Sequence, residues 1–240
     1  MLIRGRTTLI FVGIGAVLLL AVIFVVPPLI RVDRYRPQVI SYLEKQTGKQ
    51  VEIGRLALTF FPVTMHIERI GVKNPPIFPA GYVVQVARLD AELSVGALLH
   101  RQVIIKSLVL EDPVLNLTSD PDGPWNFENP QSKVSANTFP LGPIANVRIK
   151  RGVVIASNLL PSDAAGPVYF EAHDISCELE QVNLEGIINP ASSSSMDGQG
   201  NLKAGLLRFG AVEARNLESE VRLELRHVFF KDVKAKVYGG

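Results

Sequence analysis

One apolar pattern returns six times along this chain and restricts the fold to one rich in β-strands. In each copy, apolar residues alternate with other residues at period 2, pass through a single step of three, and then alternate again. The six copies occupy residues 51–58, 65–72, 84–91, 103–110, 147–154 and 228–235. Alternation at period 2 predicts strands with one buried face. The step of three predicts a β-bulge, since one extra residue keeps both halves of a strand facing the same side.

The intervals between the copies predict how the strands are connected, and the residue at the extra position predicts which side chains point outward. Unequal intervals between copies favour an antiparallel meander with variable loops over a solenoid or a propeller. Polar stretches at 119–138 and 191–200 predict surface loops. The sequence therefore predicts a mainly β fold, an elongated and curled antiparallel sheet. Four copies carry an arginine at the extra position, where a charge suits an outward side chain: Arg55, Arg69, Arg88 and Arg151.

The N-terminal region, residues 1–30, predicts an uncleaved signal-anchor transmembrane helix. Residues 9–26 form a run without a charge, and at about 1.5 Å per residue such a run is about 27 Å long, enough to cross a hydrocarbon core. A cleavable signal peptide, the main alternative beside a buried core helix, has a shorter apolar region and small residues at its cleavage site. Arg4 and Arg6 on the short side favour a cytoplasmic N-terminus, with the remaining chain outside.

Residues 31–48 predict a short amphipathic helix between the anchor and the β-rich domain at 49–240. Asp33 is the predicted N-cap, and Gly48 supplies a left-handed residue at the end of the helix. Tyr35, Val39 and Leu43 recur on one face. This face could lie on a membrane surface, plug the end of the sheet or pack as an ordinary core helix, and the sequence leaves these alternatives open.

Composition excludes several classes of protein. A single cysteine excludes an intramolecular disulfide framework and a cysteine-based zinc cage, and a net charge of +2 argues against a dedicated nucleic-acid binder. Cys177 falls at an alternating strand position, which predicts a small packed apolar side chain.

The search for chemically active residues yields only weak motifs. No two of the four histidines have metal-ligand spacing, and His66 lies at a polar strand position. His173 and Asp174 are the only hint of a hydrolase triad, and no serine carries a nucleophile-elbow pattern. Residues 116–118 match a glycosylation acceptor, a weak three-residue signal. We therefore predict a protein that is not an enzyme, with no catalytic residue, no metal site and no cofactor.

The strands are unusually apolar, with apolar side chains on both faces of several segments. One face could line a groove for acyl chains, each buried methylene of which contributes about 0.8 kcal/mol. A closed core is the alternative, and the sequence does not decide which face is concave. The candidate groove residues are the inward positions of the bulged strands: Ile53, Leu56, Leu58, Ile67, Val86, Leu89, Ile105 and Leu108.

The first half of the chain resembles the start of AsmA-family proteins. The resemblance is best over residues 8–118, and the later segments 147–158 and 200–240 are similar to the strand repeats of the family. The motifs that carry it, after the N-terminal anchor, are at 33–37, 47–54, 61–62, 74–76, 93–94 and 111–117.

This resemblance implies a single-pass protein of the bacterial inner membrane with most of its chain in the periplasm. It implies a role in outer-membrane biogenesis, with membrane phospholipid bound or transferred through an apolar β-groove. A structural scaffold or secretion accessory that binds proteins through its sheet edges is the alternative function. In similar proteins more strands follow the segment that matches 236–240, so the resemblance also implies either a C-terminally truncated chain or assembly with another envelope protein or a longer β-groove partner.

Overall fold

The computed structural model describes residues 32–100, 102, 104–120, 123–128, 144–159, 165–183, 196–225 and 227–238, so the predicted anchor at 1–30 lies outside the described residues. A 3₁₀ turn, Val32–Tyr35, leads into helix α1, Arg36–Thr47, and a short helix α2 spans Val95–Leu99. None of the helices in these ranges has the length and apolar character needed to span a bilayer. The strands are β1 Val51–Phe60, β2 Val63–Lys73, β3 Tyr82–Leu93, β4 Ile105–Glu111, β5 Val114–Ser119, β6 Ile144–Leu159, β7 Ala165–Asn183, β8 Met196–Phe209, β9 Val212–Leu225 and β10 His227–Tyr238.

All ten described strands belong to one sheet, which confirms the mainly β prediction. The strand order is β1-β2-β3-β4-β6-β7-β8-β9-β10, and β5 continues the line of β4 between β3 and β6. The consecutive strand pairs β1–β2, β2–β3, β7–β8 and β8–β9 are antiparallel, as the meander prediction requires.

The prediction of a wholly antiparallel sheet is wrong at one place. Both β4 and β5 pair with β6 in parallel, with a constant offset from Ser107↔Asn146 to Ser119↔Asn158. Parallel neighbours require a long crossover connection, and the chain between β5 and β6 is the long polar segment that the sequence marks as a loop. β6 therefore begins beside the start of β4 and ends beside the end of β5.

The step of three in the apolar pattern is confirmed by burial, but its backbone basis differs from the prediction. Ile53 and Leu56 are both buried in one cluster although they are three residues apart. In the β1–β2 ladder the pairs Ile53↔Ile70 and Arg55↔Glu68 keep one register, so no residue is inserted and the predicted bulge is wrong there. On the neighbouring strand β2, where Ile67 and Ile70 are likewise three residues apart, the residue between them, Arg69, has a φ of 54°.

Residues with positive φ form a line across the sheet, which we call the kink line: Arg69, Asp112, Arg151, Asp174 and Asn216. The ladders place Asp112 beside Arg151, and small residues lie opposite other members of the line, with Gly54 facing Arg69 and Gly205 facing Asp174. Aspartate and asparagine tolerate this conformation best, and they hold three of the five positions. The β1–β2, β2–β3, β7–β8 and β8–β9 ladders keep one register through the line, whereas the β6–β7 ladder shifts register between Ile149 and Gly152, where the sequence predicts a bulge.

Helix α1 closes one end of the sheet. Val39, Ile40 and Leu43 pack on a cluster of buried residues from β1 and β2: Val51, Ile53, Leu56 and Ile67. Tyr35, predicted on the same apolar stripe, is instead exposed. The geometry matches the alternative of a helix packed at the end of the sheet.

Both ends of α1 follow from local sequence, with one correction. Gly48 has φ 65°, and its N–H donates to the carbonyl of Glu44 at 2.8 Å, as predicted for the C-terminal end. The predicted N-cap at Asp33 is wrong, because Tyr35 occupies that position without a side-chain hydrogen bond. Asp33 lies in the 3₁₀ turn, where its Oδ1 accepts a hydrogen bond from the backbone N–H of Leu56 at 3.1 Å.

The second half of the sheet is curled around its own apolar face. Ile144 of β6, Val182 of β7 and Val221 of β9 belong to one buried cluster. Val154 of β6 and Phe230 of β10 also border one cavity, although the two strands are four spacings apart, about 19 Å in a flat sheet. The curl therefore brings side chains from distant strands around one concave face.

Candidate functional site

An apolar cavity of about 400 Å³ opens on the concave face of the last five strands. Every strand from β6 to β10 contributes side chains to its wall. The lining residues are Val154, Phe170, Ala172, Ile175, Leu202, Ala204, Leu207, Leu217, Ser219, Phe230 and Val233. The volume lies within the usual range of small-molecule pockets, about 300–1,000 Å³.

Two alanines explain why the space is here. In β1, β2 and β3 the residue before the step of three is large and apolar, as at Ile53 and Ile67. In β7 and β8 the corresponding residues are Ala172 and Ala204, which are buried and line the cavity. Because alanine is smaller than the isoleucine that fills this position in β1 and β2, space is left on the concave face beside Ala172 and Ala204.

Ser219 is the only residue in the described lining that carries a hydroxyl group. Its Oγ lies 2.9 Å from the backbone carbonyl oxygens of both Lys231 and Glu220, which share its single proton. Phe230 and Val233 of β10 form the outer wall and are each more than half exposed. The cavity therefore offers a ligand mainly apolar contact, and its one hydroxyl proton already has acceptors within the protein.

Charged side chains in the same strands lie on the opposite face of the sheet. Lys203 lies between two lining residues of β8, and its Nζ is 2.8 Å from Glu218 Oε1 on β9. The hydrogen bond from Lys203 lowers the pKa of Glu218. The apolar cavity and these surface ion pairs are thus separated by the alternation of the strands.

A larger cleft of about 730 Å³ also lies over β7 to β10. Its wall includes Glu178, Glu180, Glu220, Arg222 and Lys231. Desolvating such charges against an apolar chain is costly, so this cleft is a poorer candidate for an acyl ligand than the smaller cavity.

The eight groove residues expected from sequence lie elsewhere in the sheet. Three of them, Ile53, Leu56 and Ile67, are buried in the cluster beneath α1, and Leu89 packs against it. Of the other four, Leu58 is half-buried on β1 and Val86 is buried on β3. Ile105 and Leu108 pack on the buried cluster formed by β6, β7 and β9. None of the eight lines the 400 Å³ cavity. Their role in binding lipid stays a prediction.

The cavity residues that sequence reasoning missed carry the same pattern with alanine in place of isoleucine or valine. Phe170, Ala172 and Ile175 on β7 show it, as do Leu202, Ala204 and Leu207 on β8, which have the same spacing as Met65, Ile67 and Ile70. A search that accepted alanine at the middle position would have found both strands.

The histidines considered for catalysis or metal binding form hydrogen bonds and ion pairs within the sheet. His66 Nδ1 is 2.6 Å from Asp90 Oδ1, and its Nε2 is 3.2 Å from Thr59 Oγ1. Partial burial acts to raise the pKa of Asp90, but hydrogen bonds from Arg88 and His66 outweigh it and lower that pKa. His173 faces Glu171 at 3.4 Å, while Asp174 holds its place on the kink line.

Asn116 and Cys177 are also held in place by their surroundings. The side-chain amide of Asn116, in the weak glycosylation motif, is half-buried and donates to the carbonyl of Tyr82 at 3.1 Å. Cys177 is buried, as predicted, and burial raises the pKa of its thiol. No group of His, Cys, Asp or Glu in the described ranges has the arrangement of a metal site.

Comparison with known proteins identifies the family but no individual relative. A model described as the AsmA family matches residues 4–156, more than half of the chain, from before the 3₁₀ turn into β6. Among curated proteins no match to the chain was found. The match ends within β6, so most of the apolar cavity lies beyond the matched residues. The chain belongs to the AsmA family.

Proposed function

We propose that this chain is a non-enzymatic, membrane-anchored protein of the bacterial envelope that binds phospholipid acyl chains in the apolar cavity of β6 to β10. The anchor at 1–30 would hold it in the inner membrane with its sheet in the periplasm. Family membership supports an envelope or lipid-related role. The observation that carries the lipid-binding proposal is the 400 Å³ cavity, whose described lining is apolar on five strands.

The energetics of the cavity suit an acyl chain better than a polar ligand. Each methylene moved from water into such a site contributes about 0.8 kcal/mol, so a few methylenes give measurable binding without any hydrogen bond. The exposed side chains of Phe230 and Val233 leave the outer wall open to solvent, so a chain could enter from the side. Binding and transfer both require such access.

The test is native mass spectrometry with lipid extraction on the full 240-residue chain, released from bacterial membranes in mild detergent. We expect phospholipid in near-stoichiometric amount. An empty, folded protein that also takes up no labelled fatty acid would contradict the proposal and would favour the scaffold alternative.

Matched variants locate the bound lipid. Ala204→Ile restores the residue type found at this position in other strands and fills the cavity, so lipid recovery should fall severalfold. Ala214→Ile is the control, because Ala214 holds the corresponding position on β9 and does not line the cavity. Leu58→Trp tests the groove face that the sequence predicts on β1. Loss of lipid in Leu58→Trp alone would place the ligand at the other end of the sheet.

A further inference from the structure

Exposed apolar side chains gather at one end of the first four strands. The β1–β2 turn carries Phe61, which is largely exposed, and Pro62. Helix α2 lies at the same end, between the end of β3 and the start of β4, and its Val95 is half exposed. Ile104, just before β4, is also exposed. We call this surface, Phe61, Pro62, Val95 and Ile104, the turn end of the sheet.

The sequence around the turn end contains no acidic residue. Residues 57–65 and 93–106 have no aspartate or glutamate, and the second segment includes Arg101 and Lys106. Lys106 is exposed at the start of β4. The loop at 119–128, which follows the opposite end of β5, carries Asp120 and Glu128. Apolar side chains beside cations and without carboxylates suit the surface of an anionic membrane.

The path of the N-terminal helical segment relates the turn end to the predicted anchor. Helix α1 runs antiparallel to β1, because Asp33 accepts from the N–H of Leu56 while Glu44 accepts from the N–H of Val51. Val32 therefore lies beside the middle of β1, and α1 begins on the side of the sheet that leads to the turn end.

The distance between the apolar run and this segment is limited by the length of the chain. The run ends at Val26, six residues before Val32, and six residues span about 20 Å at most. Along β1, Phe61 lies about 17 Å beyond Leu56 at about 3.3 Å per residue. A bilayer that holds residues 9–26 is therefore close enough for the turn end to reach its surface.

Exposure alone does not choose this end of the sheet. Ile77, between β2 and β3, is also exposed, but it lies at the opposite end. β2 has eleven residues, so about 33 Å of strand separates the two ends. Only the turn end is within reach of a bilayer tethered through Val32.

We propose that the turn end lies on the membrane that holds the anchor, with Phe61 inserted between the lipid headgroups. The occupant of this apolar surface is thus a lipid surface. The inference rests on the anchor in the proposed function and not on lipid in the cavity. Seating at two places, the anchor and the turn end, would fix the direction in which the sheet projects from the membrane.

The test measures tryptophan fluorescence of the full 240-residue chain in vesicles of phosphatidylglycerol and phosphatidylcholine, with and without bromine on the acyl chains. Bromine quenches tryptophan only at close range. Phe61→Trp should add emission that brominated lipid quenches severalfold more strongly than the emission of the natural chain. The single tryptophan of that chain, Trp125, pairs with Ser119 at the opposite end of the sheet.

Ile77→Trp is the matched control, since it adds an exposed tryptophan at the far end of the same two strands, and its added emission should not be quenched. Val95→Trp places the probe on α2 and should be quenched like Phe61→Trp. It decides the proposal if Phe61→Trp fails to fold by circular dichroism. Adding Ala204→Ile, which fills the cavity, should leave the quenching at the turn end unchanged and so excludes cavity-bound lipid as its source.

Washing the vesicles with alkaline carbonate separates a failure of the anchor from a failure of the inference. A chain removed by the wash would overturn both. A chain that stays while Phe61→Trp and Val95→Trp keep their full emission would overturn the inference and leave the proposed anchor standing. Equal quenching of Ile77→Trp would also overturn it. Protection of both turn-end probes from aqueous iodide as well as from bromine would assign this surface to a protein contact instead.

Discussion

The outermost described strands of the sheet, β1 and β10, differ in what covers their outer sides. At the β1 edge, side chains from the N-terminal helical segment bond to the strand. Asp33 accepts from the N–H of Leu56 at 3.1 Å, Glu44 accepts from the N–H of Val51 at 3.2 Å, and Arg36 donates to the carbonyl of Gly54 at 2.5 Å. On the outer side of β10 the described residues provide no such cover, and every residue of β10 is exposed.

The apolar faces at the two ends of the sheet also differ in how far they are covered. Beneath α1 the positions before the step of three are filled by Ile53 and Ile67, and the helix closes over them. Toward β10 these positions become Ala172 and Ala204, and the wall is open. The comparison teaches that one strand pattern can build a closed core or an open cavity, depending on one side chain per strand and on what covers the face.

The largest expected contrast is between two leucines truncated at opposite ends. Leu56→Ala removes a side chain that is 4% exposed beneath α1, and we expect a loss of about 2–5 kcal/mol in the free energy of unfolding. Leu217→Ala shortens a half-buried side chain beside an existing cavity, and its loss should be less than half as large. Urea unfolding followed by circular dichroism measures both, and equal losses would show that the two ends are packed alike.

A smaller contrast lies along the kink line. A Cβ at Gly54 would be 2.6 Å from Arg69 Nε and 2.9 Å from the carbonyl oxygen of Glu68, so Gly54→Ala forces backbone to move. We expect it to cost about 1–3 kcal/mol. Gly205→Ala is the counterpart at the open end, where the nearest atoms are Asp174 Cβ at 3.0 Å and Asp174 Oδ2 at 3.1 Å, so the overlap is smaller and involves no backbone atom. Unfolding in urea should rank Gly54→Ala as the more damaging, and the reverse order would contradict this account of the line.

Alternation and turn chemistry predict much of this fold from sequence. The period-2 pattern predicts the strands, and Gly48 predicts the end of α1, because both depend on neighbours in the chain. At the kink line the sequence predicted β-bulges, each with one inserted residue. The backbone form of the line depends on Gly54 lying opposite Arg69, a contact between strands that no local pattern contains.

The cavity and the parallel pairing were missed for a related reason. Ala204 is an ordinary alanine in the sequence, and its meaning appears only when the curl of the sheet brings Phe230 and Val154 around the same space. The parallel pairing of β4 and β5 with β6 depends on the path of a long loop, which composition does not specify. Long-range geometry therefore determined both features.

Removing the Asp33 carboxylate should weaken the cover of the β1 edge. Asp33→Ala leaves the N–H of Leu56 without its side-chain acceptor, and we expect a loss of about 1 kcal/mol in the free energy of unfolding. Hydrogen exchange at the Leu56 amide should accelerate as well. Asp33→Asn keeps an acceptor oxygen and serves as the control, so it should recover most of the protection. Equal exchange in the natural chain and Asp33→Ala would show that α1, not this bond, protects the edge.

The smallest expected effect is the acid sensitivity of one exposed carboxylate at each end. Hydrogen bonds from Lys73 and Tyr82 lower the pKa of Glu52 on β1, and a hydrogen bond from Lys203 lowers the pKa of Glu218 on β9. A carboxyl whose pKa is lower in the folded state contributes stability above its unfolded pKa, and this is lost as pH falls through the folded pKa. Both contributions are therefore present at neutral pH and absent in strong acid.

Glu52→Gln should therefore lower the urea midpoint at about pH 7, and the difference from the natural chain should disappear as the pH falls through the folded pKa of Glu52. Glu218→Gln should show the same dependence with a smaller difference, because Glu218 has one such donor where Glu52 has two. Both carboxylates are exposed and screened by solvent, so neither variant should approach the effect of Leu56→Ala. A difference that persists undiminished in acid would mean that the glutamate contributes through packing and not through its charge, and the two ends would then differ in apolar contacts alone.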